Sequence, residues 1–113
     1  MITGHYTDVE AVPQTKYGTQ KTVMRWLIGE NNSAPNFAMR LVTIEPGGFV
    51  GMHDHPYEHE VFVLKGTARV TEGDEVAEVR EGGFVFVTPG ITHGFENIGD
   101  DILEFICCIP NTD

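Results

Sequence analysis

Positive charge is scarce in this chain. Seven Lys and Arg stand against seventeen Asp and Glu in 113 residues, giving a formal net charge of −10. Without a basic stripe to neutralise phosphates, nucleic acid is not an expected partner, and anionic membrane surfaces are disfavoured for the same reason. Long apolar runs are missing too: no stretch approaches the ~18 apolar residues of a membrane-spanning helix. The segment Met1 to Glu10 lacks a basic region followed by an apolar run, so no secretory leader is expected, and the expected location is cytoplasmic. The only two cysteines, Cys107 and Cys108, are adjacent. Neighbours on a strand point to opposite faces, so reduced thiols are expected rather than a disulfide framework. Helical apolar periodicity is absent, as are a nucleophile–base motif, a phosphate loop and a dinucleotide fingerprint.

What the chain has in quantity is punctuation, with thirteen Gly and six Pro. Short runs rich in β-branched and aromatic residues lie between them at 21–28, 37–44, 61–64, 68–71, 84–87 and 102–109. The second run ends at Glu45-Pro46-Gly47-Gly48. Glu72-Gly73-Asp74 reads as a hairpin turn, and residues 29–36 as a loop. Segment 75–80, between glycines, is too short to stand as a helix. Residues 1–20 are expected to wrap the domain as an N-terminal arm. Short strands at this spacing predict an all-β sandwich or small barrel, with residues 1–113 forming one domain. The acidic run from Glu72 to Glu81 suits a solvated hairpin better than a cation site.

Four of the five histidines fall between His53 and His93. His53 and His55 sit at i and i+2, hence on one face of an extended segment. His59 follows after Pro56-Tyr57-Glu58, and His93 arrives after the next strands. Imidazole binds metals in its neutral form, so four that converge from neighbouring strands would make a metal site. His5, isolated in the arm, is expected at the surface.

Two segments carry a family resemblance. Residues 47–66 read Gly-x5-His53-x-His55, then His59-Glu60, then Gly66; residues 82–97 read Gly82, Pro89-Gly90, His93 and Asn97. In this order they resemble the two signatures of the cupin superfamily, with Thr88 where proline is usual. The resemblance implies a double-stranded β-helix, the cupin or jelly-roll barrel, with a divalent metal at its centre. The usual carboxylate position is contested. Counting back from Gly66 reaches His59, whereas Glu60 fits the spacing from His55; one residue of offset means opposite strand faces, so only one can face the metal. Strand parity does not choose, because Val61 and Val63 on one side and Phe62 and Leu64 on the other are all apolar. With His59 as ligand the chain is similar to small single-domain cupins that hold manganese with four histidines. The likeness extends to residues 34–40, 42–48 and 103–107, and implies a homodimer. Mn(II) is then the expected ion; Fe, Zn, Ni, Cu or Co would also suit nitrogen ligands.

Other candidates surround this set. Arg40 lies mid-strand among apolar residues and is expected either in the barrel mouth, holding an anionic ligand, or in a surface ion pair. Phe95 shares strand parity with His93, and Phe105 with Cys107 on the last strand, so all three are candidates to line the site or to fill the core. Met24 and Trp26 read as core or dimer packing. The expected function is a metal-dependent oxidoreductase, dioxygenase-like, acting on a small molecule with O₂ or a peroxide. The alternatives are a non-catalytic small-ligand-binding or metal-binding cupin and a zinc sugar isomerase, the last needing Glu60 inward.

Overall fold

Alternation builds this fold. In the last strand Leu103, Phe105, Cys107 and Ile109 are buried while their even-numbered neighbours are partly exposed, the period-two pattern of a sheet with one face on a core. The computed structural model describes residues 1–111. Its strands are β1 (Val12–Pro13), β2 (Gln20–Ile28), β3 (Phe37–His53), β4 (His59–Lys65), β5 (Thr67–Glu72), β6 (Glu75–Arg80), β7 (Phe84–Val87), β8 (His93–Asn97) and β9 (Leu103–Pro110). Among the described residues, helical structure is confined to single 3₁₀ turns at Tyr6–Asp8, Lys16–Gly18 and Glu30–Asn32. Among the described residues, no helix is long and apolar enough to cross a membrane.

Every strand pairing is antiparallel. The order β6-β5-β8-β3-β9-β4-β7, with β2 laid on β3 and β1 on β2, is the double-stranded β-helix of a jelly-roll barrel. The core is Ala38, Val42 and Ile44 from β3, Val61 and Val63 from β4, Ala68 and Val70 from β5, Val87, Phe95, and the odd-numbered residues of β9.

One departure from the sequence reading concerns a strand. β3 does not stop at Glu45-Pro46-Gly47-Gly48 but runs on to His53. The pairing partners jump from Thr22↔Ile44 to Gln20↔Phe49, so these residues form a bulge opposite Lys21. A bulge bends a strand without ending it, and it is one of the few places in a sheet where proline is tolerated. The bend carries β3 from its pairing with β9 to its pairing with β8, bringing His53 opposite His93. Segment 75–80 is a strand, completing the hairpin with β5. At the turn before β5, Gly66 has φ +88 and a Cβ there would lie 2.6 Å from the Ile102 carbonyl oxygen, so glycine is required. Asn97 is buried in the same region, its amide donating to the carbonyls of Ile44 and Asp101; it ties the turn after β8 to β3.

Candidate metal centre

His53 closes β3 and His93 opens β8, directly opposite in the register, with ring centroids 4.6 Å apart. His55 lies two residues beyond β3, in a loop held by the Gly90 N–H donating to the His55 carbonyl at 2.7 Å. Its ring is 4.6 Å from that of His53. The donor atoms of His53, His55 and His93 lie within 4.8 Å of one another. His59 opens β4 and is buried, its ring centroid 4.9 Å from His93 and 5.2 Å from His55. Glu60 is exposed on the opposite face of β4. Of the two side chains weighed at this position it is therefore the imidazole that faces the cluster, while Glu60, the alternative candidate, faces away from it. His5 is exposed, its Nδ1 accepting from the Thr7 N–H.

Hydrogen bonds fix how two rings present themselves. His53 Nδ1 lies 2.7 Å from the Gly51 carbonyl and His93 Nδ1 lies 3.0 Å from the Ile91 carbonyl. A carbonyl only accepts, so both Nδ1 atoms carry the hydrogen and both Nε2 lone pairs are left free, as metal-ligating histidines require. His59 Nε2 and His93 Nε2 are buried without a hydrogen-bond partner. A buried polar atom without a partner is costly, and an ion bound among the four rings would satisfy both. Burial, followed by repulsion from His53, His93 and Arg40, lowers the pKa of His55 to about 4. Burial, followed by the Arg40 charge, brings His59 down to about 3. Burial also lowers His93. His55, His59 and His93 are thus held in the neutral form that ligates, and the cluster's nitrogen donors fit a divalent ion.

The candidates around it also converge. Arg40 is buried rather than in a surface ion pair; its Nη2 donates to Cys107 Sγ at 3.0 Å and its Nη1 to Met24 Sδ at 3.7 Å. Cys107 Sγ in turn lies 3.1 Å from His59 Nδ1. Cys107 faces inward and Cys108 is partly exposed; both thiols are free. Phe95 and Phe105 are buried, their rings 4.9 Å apart, with Phe95 against His93.

These residues line a cavity of about 240 Å³ together with Tyr17, Met24, Trp26 and Tyr57, small for a ligand site and suited to one or two rings. Met24 and Trp26, read from sequence as packing, are cavity walls. Tyr57 stacks on His55 at 4.8 Å, and burial pushes its phenol pKa up. Its i+2 spacing from His55 is the signal in the sequence that points to it. Tyr17 comes from the arm and lies on His53. Its approach depends on Gly51, where a Cβ would lie 1.8 Å from the Tyr17 carbonyl oxygen. No sequence pattern announces a contact of this kind. Among the described residues, no carboxylate lines the cavity.

Residues 40–109 match the sequence profile of the Cupin domain family. The polyketide cyclase RemF from Streptomyces resistomycificus superposes with a TM-score of 0.91 at 30% identity, over 99% of this chain and 80% of that one. The mannose-1-phosphate guanylyltransferase RfbM of Salmonella typhimurium is 42% identical over 77 residues, 66% of this chain but only 16% of its own length. An oxalate-binding protein of Thermotoga maritima is 28% identical over 104 residues, 88% of this chain and 84% of that protein.

Proposed function

The chain belongs to the cupin family, and on that premise we propose that it is a metal-dependent enzyme of small-molecule carbonyl chemistry. In this reading His53, His55, His59 and His93 hold a divalent ion beside which an enolisable, polyketide-like substrate closes a ring. The observation that carries it is the imidazole cluster, with two buried Nε2 atoms lacking partners, at the wall of a small aromatic cavity. The likeness to a polyketide cyclase over nearly the whole chain supports this reaction class. A bound divalent ion supplies Lewis-acid polarisation of a substrate oxygen. Mn(II) stands first, as the ion implied by the resemblance, ahead of Fe, Zn, Ni, Cu or Co.

The chain's own residues supply the rest. Trp26, Phe95 and Phe105 form apolar walls that hold a planar substrate and exclude water. Tyr57, kept protonated by its raised pKa, offers an O–H donor to a substrate oxygen. The absence of a carboxylate base among the lining residues favours a second reading, the oxidoreductase or dioxygenase-like enzyme, which needs open metal positions rather than a base. The zinc isomerase reading loses its support with Glu60 facing outward.

The test is metal analysis of the purified protein, then incubation of Mn-, Fe- and Zn-loaded samples with a linear β-triketone thioester, with and without oxygen. A cyclised product that has lost water, formed without oxygen uptake and absent in His53→Ala, supports the first reading. Oxygen-dependent products support the second. Binding without turnover leaves a ligand-binding cupin.

We also propose a homodimer. Phe62, Phe84 and Phe86 are exposed together on the outer faces of β4 and β7, Phe84 at 80%, and β7 ends the strand order. A contiguous apolar patch beside an open edge favours pairing. The two free thiols suit a reducing, cytoplasmic setting.

A further inference from the structure

Arg40 is a buried cation without an anion. It is 9% exposed, yet its guanidinium contacts two sulfurs, Cys107 Sγ and Met24 Sδ, and lies over the Trp26 ring with Cζ 5.3 Å from the centroid. Sulfur is a weak acceptor, and an aromatic face attracts the charge without accepting the N–H bonds in their plane. Arg40 Nε is buried and has no partner. A salt-bridging carboxylate is absent among the described cavity-lining residues, and the two described ion pairs, Lys65–Asp101 and Arg69–Glu96, do not involve Arg40. An ionised group removed from water without a counter-charge is expensive. The register explains why Arg40 is held there: it is flanked across the sheet by Trp26 on β2 and Cys107 on β9, all three lining the cavity.

We infer that this cavity takes a planar aromatic ligand bearing a negatively charged oxygen, which Arg40 binds through its unpartnered N–H groups while the ring lies among Trp26, Tyr57 and Phe95. The inference deepens the proposed function by naming the charge of its ligand, and it rests on that reading only for the location of the site. Lys16 and Tyr17 line the same cavity from the arm, and Lys16 adds a second positive charge.

The probes are 3-hydroxy-2-naphthoate and its neutral isostere 3-hydroxy-2-naphthamide, titrated in chloride-free buffer against metal-free and zinc-loaded full-length protein. The chain's single tryptophan, Trp26, reports binding by fluorescence. The naphthoate is expected to bind at least about tenfold more tightly than the amide to the metal-free protein, the scale of a charge-assisted hydrogen bond. Arg40→Gln, or Arg40→Met if the first variant does not fold, should reduce that ratio to about twofold or less while still binding the amide. Arg40→Lys should keep part of the preference. Equal affinities for the two probes in the wild-type protein, or a ratio unchanged in Arg40→Gln, overturn the inference. Failure of the metal reading looks different: the zinc-loaded sample retains no ion, but the naphthoate preference of the metal-free protein and its loss in the variant persist.

Discussion

Tyr17 lies flat on His53, the two rings 5° from parallel with centroids 4.6 Å apart. The arm therefore builds part of the site wall as well as covering the barrel. Tyr17 sits at φ +61 and its backbone presses on Gly51, whose carbonyl in turn accepts from His53 Nδ1. One glycine thus joins the arm to the hydrogen bond that sets the ring.

Gly51→Ala is expected to push the Tyr17 segment off the barrel, since the added carbon would meet backbone rather than a flexible side chain. Overpacking of this kind costs about 1–3 kcal/mol. Urea denaturation should show the loss of stability, and limited proteolysis should cut within residues 1–20 faster than in the wild type. Unchanged proteolysis would show that the arm does not depend on this contact.

His59 and Glu60 are adjacent and face opposite ways, so their variants should separate cleanly. His59→Gln is expected to lower metal affinity by at least about tenfold to a hundredfold, the cost of disturbing even a group that supports a ligand. Glu60→Gln should leave it unchanged, because its side chain is on the outer surface. Calorimetric titration with Mn(II) and Zn(II) measures both. Equal losses in the two variants would contradict the orientation of β4.

Acid should weaken the metal-free protein through its buried imidazoles. The folded-state pKa values of about 4 for His55 and about 3 for His59 lie below the ordinary 6.5. Between these limits the unfolded chain binds more protons than the folded one, so stability rises with pH across the window. It should be complete above about pH 6.5 and fall progressively toward pH 3, with the His55 share lost by about pH 4. Denaturation midpoints at a series of pH values test this, and His59→Gln should flatten the slope.

The outer patch predicts assembly. Phe84→Glu combined with Phe86→Glu should convert a homodimer to a monomer in sedimentation at micromolar protein, with the fold and metal content retained, because both side chains are exposed on the far side of the sheet from the imidazoles. A wild-type protein that sediments as a monomer would end the proposal directly.

Much of the barrel and its centre is legible in the amino-acid sequence, for a physical reason. His53-x-His55 is fixed by short-range spacing and His93 by its place in the second signature, and period-two alternation puts Phe105 and Cys107 on the same face of β9. His59 against Glu60 stays open at that level because both faces of β4 are apolar: Val61 and Val63 fill the core while Phe62 and Leu64 form an outer patch. A strand greasy on both sides hides its orientation. Pro46 and Gly47 read as a stop, yet they sit in a bulge that lets β3 continue. Tyr17, Met24 and Trp26 reach the cavity through contacts between distant segments, which no local pattern encodes.

The hydrogen bonds at His53 and His93 come from main-chain carbonyls rather than from side chains. Residue substitutions elsewhere in the cavity cannot withdraw those acceptors. Trp26, Tyr57, Phe95 and Phe105 are thus free to vary while the donor geometry of these two rings stays put. A barrel arranged in this way separates what grips the ion from what chooses the guest. It can therefore diversify by rewriting its walls, in nature or at the bench, with the centre inherited intact.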